Sequence, residues 1–168
     1  MNKNFVLCGF MGSGKSVTGK ALAERLNMDF IDMDAFIETK HNLSVSEIFE
    51  KFGEEHFRKL ETEAAIYLGK LKNIIISCGG GTVMRPENVA ALKKNSKLFY
   101  LSVKPETVIK RLEGSNDRPL LQKDKENTFL ALLKKRIPVY EAVADHSVDA
   151  NKDVAEVVKQ ILKIIQEA

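Results

Sequence analysis

Short apolar segments alternate with amphipathic segments along the whole chain. The apolar segments are predicted to be β-strands, at residues 5–8, 29–32, 73–78, 97–103 and 146–149. Because they lack the regular polar alternation of a half-exposed strand, they are typical of parallel strands that are covered on both faces. Strands that alternate with helices predict an α/β fold of three layers around one five-stranded parallel sheet.

Helix-start signals lie in the segments between these strands. Ser44 and Glu47 have the spacing of a capping box, and Pro86 and Pro105 stand where a first helical turn accepts proline. The last segment carries an apolar stripe at helical spacing, formed by Val154, Val157, Val158, Ile161, Leu162 and Ile165. No repeat or linker interrupts this order, so residues 1–168 are predicted to form a single domain.

The composition is that of an ordinary globular protein, with 44% apolar and 29% charged residues. The net charge of +3 is small and the basic residues are scattered, which argues against a nucleic-acid partner. The sequence shows no membrane span, no secretory leader and no long exposed apolar stripe, so we expect a cytoplasmic monomer. Cys8 and Cys78 are interpreted as small buried residues, because no Cys–His cluster suggests zinc.

The sequence GFMGSGKS, from Gly9 to Ser16, follows the first predicted strand and precedes a helical segment. It matches the phosphate-loop pattern, in which glycines leave backbone amides free to contact phosphate oxygens. Lys15 supplies a charge for the β- and γ-phosphates, and the Ser16 hydroxyl can bind Mg²⁺. Val17 occupies the position of the last glycine in the dinucleotide-binding pattern and so argues against that pattern. The residues predicted to contact ATP here are Gly12, Ser13, Gly14, Lys15, Ser16 and Val17.

Two aspartates lie at the end of the second predicted strand, Asp32 and Asp34. In an extended chain their side chains would point to the same side, at the sheet edge where α/β proteins bind ligands. One can then contact Mg²⁺ through water, while the other accepts a hydrogen bond from an acceptor hydroxyl. The alternative is that Asp34 only caps a helix that starts at Ala35.

The third predicted strand runs into Gly79, Gly80 and Gly81. Three consecutive glycines are more than a plain turn needs, so the run indicates that a ligand approaches the backbone closely. Ser77, just before the run, can orient a water bound to Mg²⁺.

Arg136 lies within an apolar stripe together with Phe129, Leu133 and Tyr140. An inward guanidinium needs an anionic partner, and a ligand carboxylate held by two hydrogen bonds meets that need. An internal ion pair is the alternative. Arg58 flanks a second apolar stripe and is also a candidate ligand, and a surface ion pair with Glu61, one helical turn further on, is the alternative.

The segment from Gly114 to Leu121 is rich in glycine, proline and charge, which is typical of a lid that spans about residues 112–124. Arg118 in this segment can close onto the transferring phosphoryl group. An inert surface loop is the alternative.

The chain resembles the shikimate kinases from the first strand to the last helix. The phosphate loop is common to many families, and the specific resemblance rests on the order and spacing of five further motifs: Asp32-x-Asp34, Phe57-Arg58, Gly79-Gly80-Gly81, Arg118-Pro119-Leu120-Leu121 and Arg136-x-x-x-Tyr140.

The resemblance implies a fold like that of the nucleoside monophosphate kinases, with strand order 2-3-1-4-5 and an acceptor-binding region at about residues 33–61. It implies transfer of phosphate from ATP to the 3-hydroxyl of shikimate with Mg²⁺ bound near Ser16 and Asp32. It also implies that Lys15, Asp34 and Arg118 are catalytic, and that Arg111 and a loop containing Asn151 bind adenine. The implied shikimate-binding residues are Asp34, Arg58, Gly79, Gly80, Gly81 and Arg136.

Two other functions remain open from the sequence alone. A kinase of another small hydroxy acid, such as gluconate, would share the phosphate loop but would not need the three glycines together with Arg136. A nucleotide-dependent regulatory protein without phosphoryl transfer would have no use for Asp34 or Arg136.

Overall fold

Residues 3–113 and 123–168, which the computed structural model describes, contain one sheet of five parallel strands in the order β2-β3-β1-β4-β5. The strands are β1 (Asn4–Cys8), β2 (Asp29–Asp32), β3 (Ile74–Ser77), β4 (Ser96–Ser102) and β5 (His146–Asp149). The predicted α/β class and strand order are therefore confirmed. Arg118 and most of the predicted lid lie outside the described residues.

The predicted strand limits differ from the observed ones by a single residue at the ends of β1, β3 and β4. β3 ends at Ser77, which pairs with Asp32 of β2 and Leu7 of β1. Cys78 no longer belongs to the strand, although its amide still donates to the Leu7 carbonyl at 3.0 Å. The glycine run that follows draws the chain away from the sheet at this point.

The described residues contain eight α-helices and one short 3₁₀ turn, which connect the strands except for the last helix, which follows the final strand. Ser44 and Glu47 form the predicted capping box at the start of α3 (Val45–Phe52), and Pro86 and Pro105 open α5 (Pro86–Lys93) and α6 (Pro105–Glu113) as expected. The helices are α1 (Lys15–Leu26), α2 (Met33–His41), α3 (Val45–Phe52), α4 (Glu54–Leu68), α5 (Pro86–Lys93), α6 (Pro105–Glu113), α7 (Lys123–Val143) and α8 (Val154–Glu167), and the 3₁₀ turn is Thr82–Met84.

The core is built around the central strands, whose side chains are buried on both faces. Ile75, Ile76, Leu7 and Leu98 have no exposed surface, which is the burial that continuously apolar strands predict. Cys8 and Cys78 are buried as well, and burial raises the pKa of both thiols. Both cysteines therefore serve as small packing residues in this structure.

Within the part of the chain that the structure describes, no helix combines the length and the hydropathy that crossing a membrane would require.

The carboxyl ends of β1, β2 and β3 bring three sequence motifs to one edge of the sheet. The phosphate loop follows β1, Asp32 ends β2, and the glycine run follows β3. Since these strands are neighbours in the order β2-β3-β1, motifs that are far apart in the sequence meet around one cavity.

Candidate active site

The phosphate loop has the backbone conformation that its glycines permit. Gly12 and Gly14 have φ angles of 79° and 86°, which favour glycine, and Gly14 caps the start of α1. The Lys15 ammonium donates to the carbonyl oxygens of Gly9 and Phe10 at 2.8 and 3.0 Å. Burial lowers the pKa of Lys15 to about 8. The loop thus places the desolvated Lys15 cation beside the N-terminus of α1. The cation and the helix N-terminus both favour the binding of phosphate.

Asp32 connects the phosphate loop to α2. One of its carboxylate oxygens accepts a hydrogen bond from Ser16 Oγ at 2.6 Å, and the other caps α2 by accepting from the Ala35 amide at 3.0 Å. The Ser77 hydroxyl lies 3.4 Å from Ser16 Oγ. The capping role that was considered for Asp34 therefore belongs to Asp32, and α2 begins at Met33.

The oxygens of Ser16, Asp32 and Ser77 are the hard donors that Mg²⁺ prefers, so their chemistry fits the predicted metal. Among the described residues, no group of three or more His, Cys, Asp or Glu side chains can hold a metal ion.

Asp34 lies in the first turn of α2 and lines the same cavity as Asp32. The predicted extended geometry of the two aspartates is wrong, because the strand ends at Asp32 and the chain turns into a helix. A Cβ at Gly79 would lie 3.0 Å from Asp34 Oδ1, so the glycine leaves room for this carboxylate. Burial, and then the charges of Asp32 and Glu61, raise the pKa of Asp34 to about 6.

Replacing Asp34 with asparagine should stabilise the empty protein at neutral pH by about 1–3 kcal/mol. With a folded-state pKa of about 6 against a usual 3.8, ionised Asp34 opposes folding above pH 6, and this effect disappears below pH 4. The difference in melting temperature between Asp34→Asn and the wild type should therefore be large at pH 7.5 and should shrink as the pH falls from 6 towards 4. The exposed Asp29 provides a control, since Asp29→Asn should show no such change. A pH-independent difference for Asp34→Asn would contradict the assigned burial.

The glycine run at residues 79–81 has close side-chain neighbours, and its backbone conformation does not require glycine, since none of its three φ angles is in the left-handed region. A Cβ at Gly81 would lie 2.6 Å from a guanidinium nitrogen of Arg58. A Cβ at Gly80 would lie 3.2 Å from Arg136 Nη1. The close approach of a ligand to this run stays a prediction, and the structure shows that two arginine side chains approach it closely.

Arg58 forms the ion pair with Glu61 that the sequence left open, with Nη1 and Oε1 2.5 Å apart. The pair does not lie on the surface, because only 1% of the Glu61 side chain is exposed. Thr82 Oγ1 donates to the second Glu61 oxygen at 2.6 Å. Glu61 therefore fixes the Arg58 guanidinium against the cavity wall. Sequence reasoning missed this anchoring role, and the only available signal was the i, i+3 spacing of the two charges.

Arg136 projects from α7 into the cavity, as its place in the apolar stripe predicted. Its guanidinium carbon lies 5.8 Å from the centre of the Phe10 ring. Among residues 3–113 and 126–168, no carboxylate forms an ion pair with it. The described part of the molecule therefore contains no internal ion pair of Arg136, which was the alternative explanation for its inward placement.

A neighbouring cavity of about 380 Å³ is lined by phosphate-loop residues, by the loop after β5 and by Arg111, one of the predicted adenine-binding residues. Arg111 lines this cavity and donates to the carbonyl oxygens of Gly12 and Ala150 at 3.0 and 2.7 Å. It thus joins the two loops on which a nucleotide would lie. The Asn151 side chain accepts from the Lys104 amide and donates to Asp149, so it stabilises its loop and does not line the cavity.

The larger cavity has a volume of about 640 Å³ and brings together most of the predicted site. Its lining includes Gly12, Gly14, Lys15, Ser16, Val17, Asp32, Asp34, Arg58, Gly79, Gly80, Gly81 and Arg136. A lysine cation, carboxylates and two guanidinium groups thus line one cavity next to a phosphate-binding loop, and together they can bind an anionic molecule.

A shikimate kinase family model matches residues 11–166 of the chain. The curated shikimate kinase of Caldanaerobacter subterraneus subsp. tengcongensis is 43% identical over 163 residues, which cover 96% of this chain and 95% of that protein. The solved structure of shikimate kinase from Acinetobacter baumannii in complex with shikimate matches with a TM-score of 0.91 and 35% identity, covering 99% of this chain and 94% of the other.

A gluconokinase structure from Sinorhizobium meliloti also matches, with a TM-score of 0.63 and coverage of 96% of this chain and 90% of the other, but it is only 17% identical. At that level of identity the likeness shows a shared fold and carries no information about the acceptor. The family model and the curated relative match nearly the whole chain. The chain therefore belongs to the shikimate kinase family.

Proposed function

We propose that the protein transfers the γ-phosphoryl group of ATP to the 3-hydroxyl of shikimate, giving shikimate 3-phosphate and ADP. The observation that carries this proposal is the single cavity in which Lys15, Asp34, Arg58 and Arg136 meet. A cation for phosphate, a carboxylate for a hydroxyl and guanidinium groups for a carboxylate are what phosphorylation of a hydroxy acid requires. The chain's family, and the relative whose structure contains shikimate, support the choice of this acid.

In the proposed complex, Arg58 and Arg136 bind the shikimate carboxylate. Both guanidinium groups face the cavity, and the buried Glu61 keeps Arg58 oriented before the substrate arrives. Such preorganisation reduces the entropy lost on binding. Gly79, Gly80 and Gly81 also line the cavity, and because they have no side chains their backbone polar groups can contact the substrate.

Asp34 accepts the proton of the attacking hydroxyl in this proposal. The hydroxyl oxygen forms a bond to the γ-phosphorus, the bond from that phosphorus to the β,γ-bridging oxygen breaks, and ADP leaves. With a pKa of about 6, Asp34 is ionised at neutral pH and can take the proton. Lys15 stabilises the negative charge that moves onto the β- and γ-phosphate oxygens, and Arg118 is proposed to contact the transferring group from the lid.

Ser16 and Asp32 are proposed to hold Mg²⁺, with Ser77 orienting one of its waters. The ion would neutralise phosphate charge when bound. Arg111 is proposed to stack on adenine, since it lines the smaller cavity beside the phosphate loop. We also propose that the enzyme works as a cytoplasmic monomer, with two small charged metabolites as its substrates and no macromolecular partner.

An acceptor screen tests the function. Purified protein should consume ATP in the presence of Mg²⁺ and shikimate, and ³¹P spectroscopy should detect a phosphate monoester. Gluconate, which lacks a ring, and quinate, which has a similar ring, serve as matched acceptors. If turnover with gluconate equalled or exceeded turnover with shikimate, the result would favour the alternative function, a kinase of another small hydroxy acid. Nucleotide binding without any acceptor-dependent ATP consumption would favour the regulatory alternative.

A further inference from the structure

Tyr140 lies one helical turn after Arg136 on α7, and both residues reach the same point of the glycine run. The Tyr140 hydroxyl donates to the Gly80 carbonyl at 2.5 Å. A Cβ at Gly80 would lie 3.2 Å from Arg136 Nη1 and 3.8 Å from the Tyr140 oxygen. Gly80 therefore lies against two side chains of one helix, of which Arg136 lines the larger cavity.

The Tyr140 ring is fixed in place and its hydroxyl remains a donor. The side chain has no exposed surface, and its ring stacks on Tyr100 with the ring centres 5.2 Å apart. Burial raises the pKa of Tyr140 and outweighs the opposite effect of the Arg136 charge. Because the ring is held in place and the hydroxyl stays protonated, the hydrogen bond from Tyr140 keeps α7 in a defined position relative to Gly80.

The backbone of α7 is weakened between the two residues by Pro138. Proline has no amide hydrogen, so the Lys134 carbonyl loses its usual partner and the helix is free to bend there. The hydrogen bond from Tyr140 to Gly80 holds the helix on the C-terminal side of Pro138. It therefore fixes the position of Arg136 more than the same bond would in a regular helix.

We propose that Tyr140 is a positioning residue of the acceptor site, which joins α7 to Gly80 so that Arg136 and the glycine run hold the substrate carboxylate in one geometry. This inference rests on the proposed function, because it concerns the acceptor of that reaction. It assigns no contact with the substrate to Tyr140 itself.

The test compares the loss of the hydroxyl from two tyrosines, Tyr140 and Tyr100, whose rings stack on each other. Tyr140→Phe should raise KM for shikimate by about tenfold, the effect expected from one buried hydrogen bond, with KM for ATP and kcat nearly unchanged. Tyr100→Phe retains the stacked ring pair but removes a hydroxyl that does not reach Gly80, so both KM values should stay at the wild-type level. Calorimetry with shikimate alone should show the same tenfold loss of affinity for Tyr140→Phe.

If Tyr140→Phe is less stable than the wild type, calorimetry well below its melting temperature still measures the shikimate affinity of the folded protein. A merely structural Tyr140 would lower the melting temperature and leave the shikimate affinity of the folded protein intact, which would overturn the inference. Equal losses for ATP and shikimate, or an equal effect of Tyr100→Phe, would overturn it too. A wild type that does not phosphorylate shikimate would instead refute the proposed function.

Discussion

Replacing Lys15 with alanine should reduce kcat by about a thousandfold, while the protein remains folded. The ammonium contacts charge that grows during phosphoryl transfer, and groups of this kind typically contribute a factor of about 10²–10³ or more. The folded state should tolerate the change, because burial already disfavours the charge of Lys15, as its lowered pKa indicates. Steady-state turnover and the circular dichroism spectrum of the same preparation check both parts.

Lys20 is the matched control for Lys15. It lies on α1 as well, but its side chain is exposed, so Lys20→Ala should retain wild-type turnover. If folded Lys15→Ala turned over at nearly the wild-type rate, Lys15 would have no role in the transfer step.

Replacing Arg136 with methionine should weaken shikimate binding by about 2–5 kcal/mol, the usual loss when one member of a buried charge pair is removed. ATP binding in the absence of shikimate should barely change. The melting temperature should stay near the wild-type value, because no carboxylate among the described residues pairs with Arg136 and methionine suits an apolar stripe. Calorimetry and thermal denaturation of one variant measure these three quantities.

The exposed Lys135 on the same helix gives the control, since Lys135→Met removes an equal charge without touching the cavity. Its shikimate affinity should match the wild type. A strongly destabilised Arg136→Met whose folded fraction bound shikimate normally would show that Arg136 supports the structure and does not bind the carboxylate.

Local sequence patterns were sufficient to predict the parts of the fold that depend on neighbouring residues. The apolar segments predicted every strand of the described sheet to within one residue at each end, and the phosphate loop was recognisable from its spacing. The strand order could not be obtained in this way, because it depends on which strands pair across long loops. It followed from the resemblance to a known family and is confirmed by the structure.

The side-chain partners at the site were harder to predict, because they come from distant parts of the chain. The sequence predicted that any ion pair between Arg58 and Glu61 would lie on the surface. Glu61 is buried instead, and it accepts a hydrogen bond from Thr82, which lies 21 positions further along the chain. The cap of α2 is Asp32 and not Asp34, because the strand ends at Asp32 and the helix begins at Met33. The inward placement of Arg136 was predicted correctly, since helical spacing alone was enough to direct the side chain to the cavity.

The two hydrogen bonds of the Asp32 carboxylate have a consequence for how the substrates bind. One oxygen bonds to Ser16, where the metal and phosphates are proposed to bind, and the other bonds to the start of the helix that carries Asp34. A ligand that reorients this carboxylate therefore alters the two subsites together, so we expect their occupancies to be thermodynamically linked. Linkage is reciprocal: any factor by which nucleotide tightens acceptor binding is also the factor by which acceptor tightens nucleotide binding.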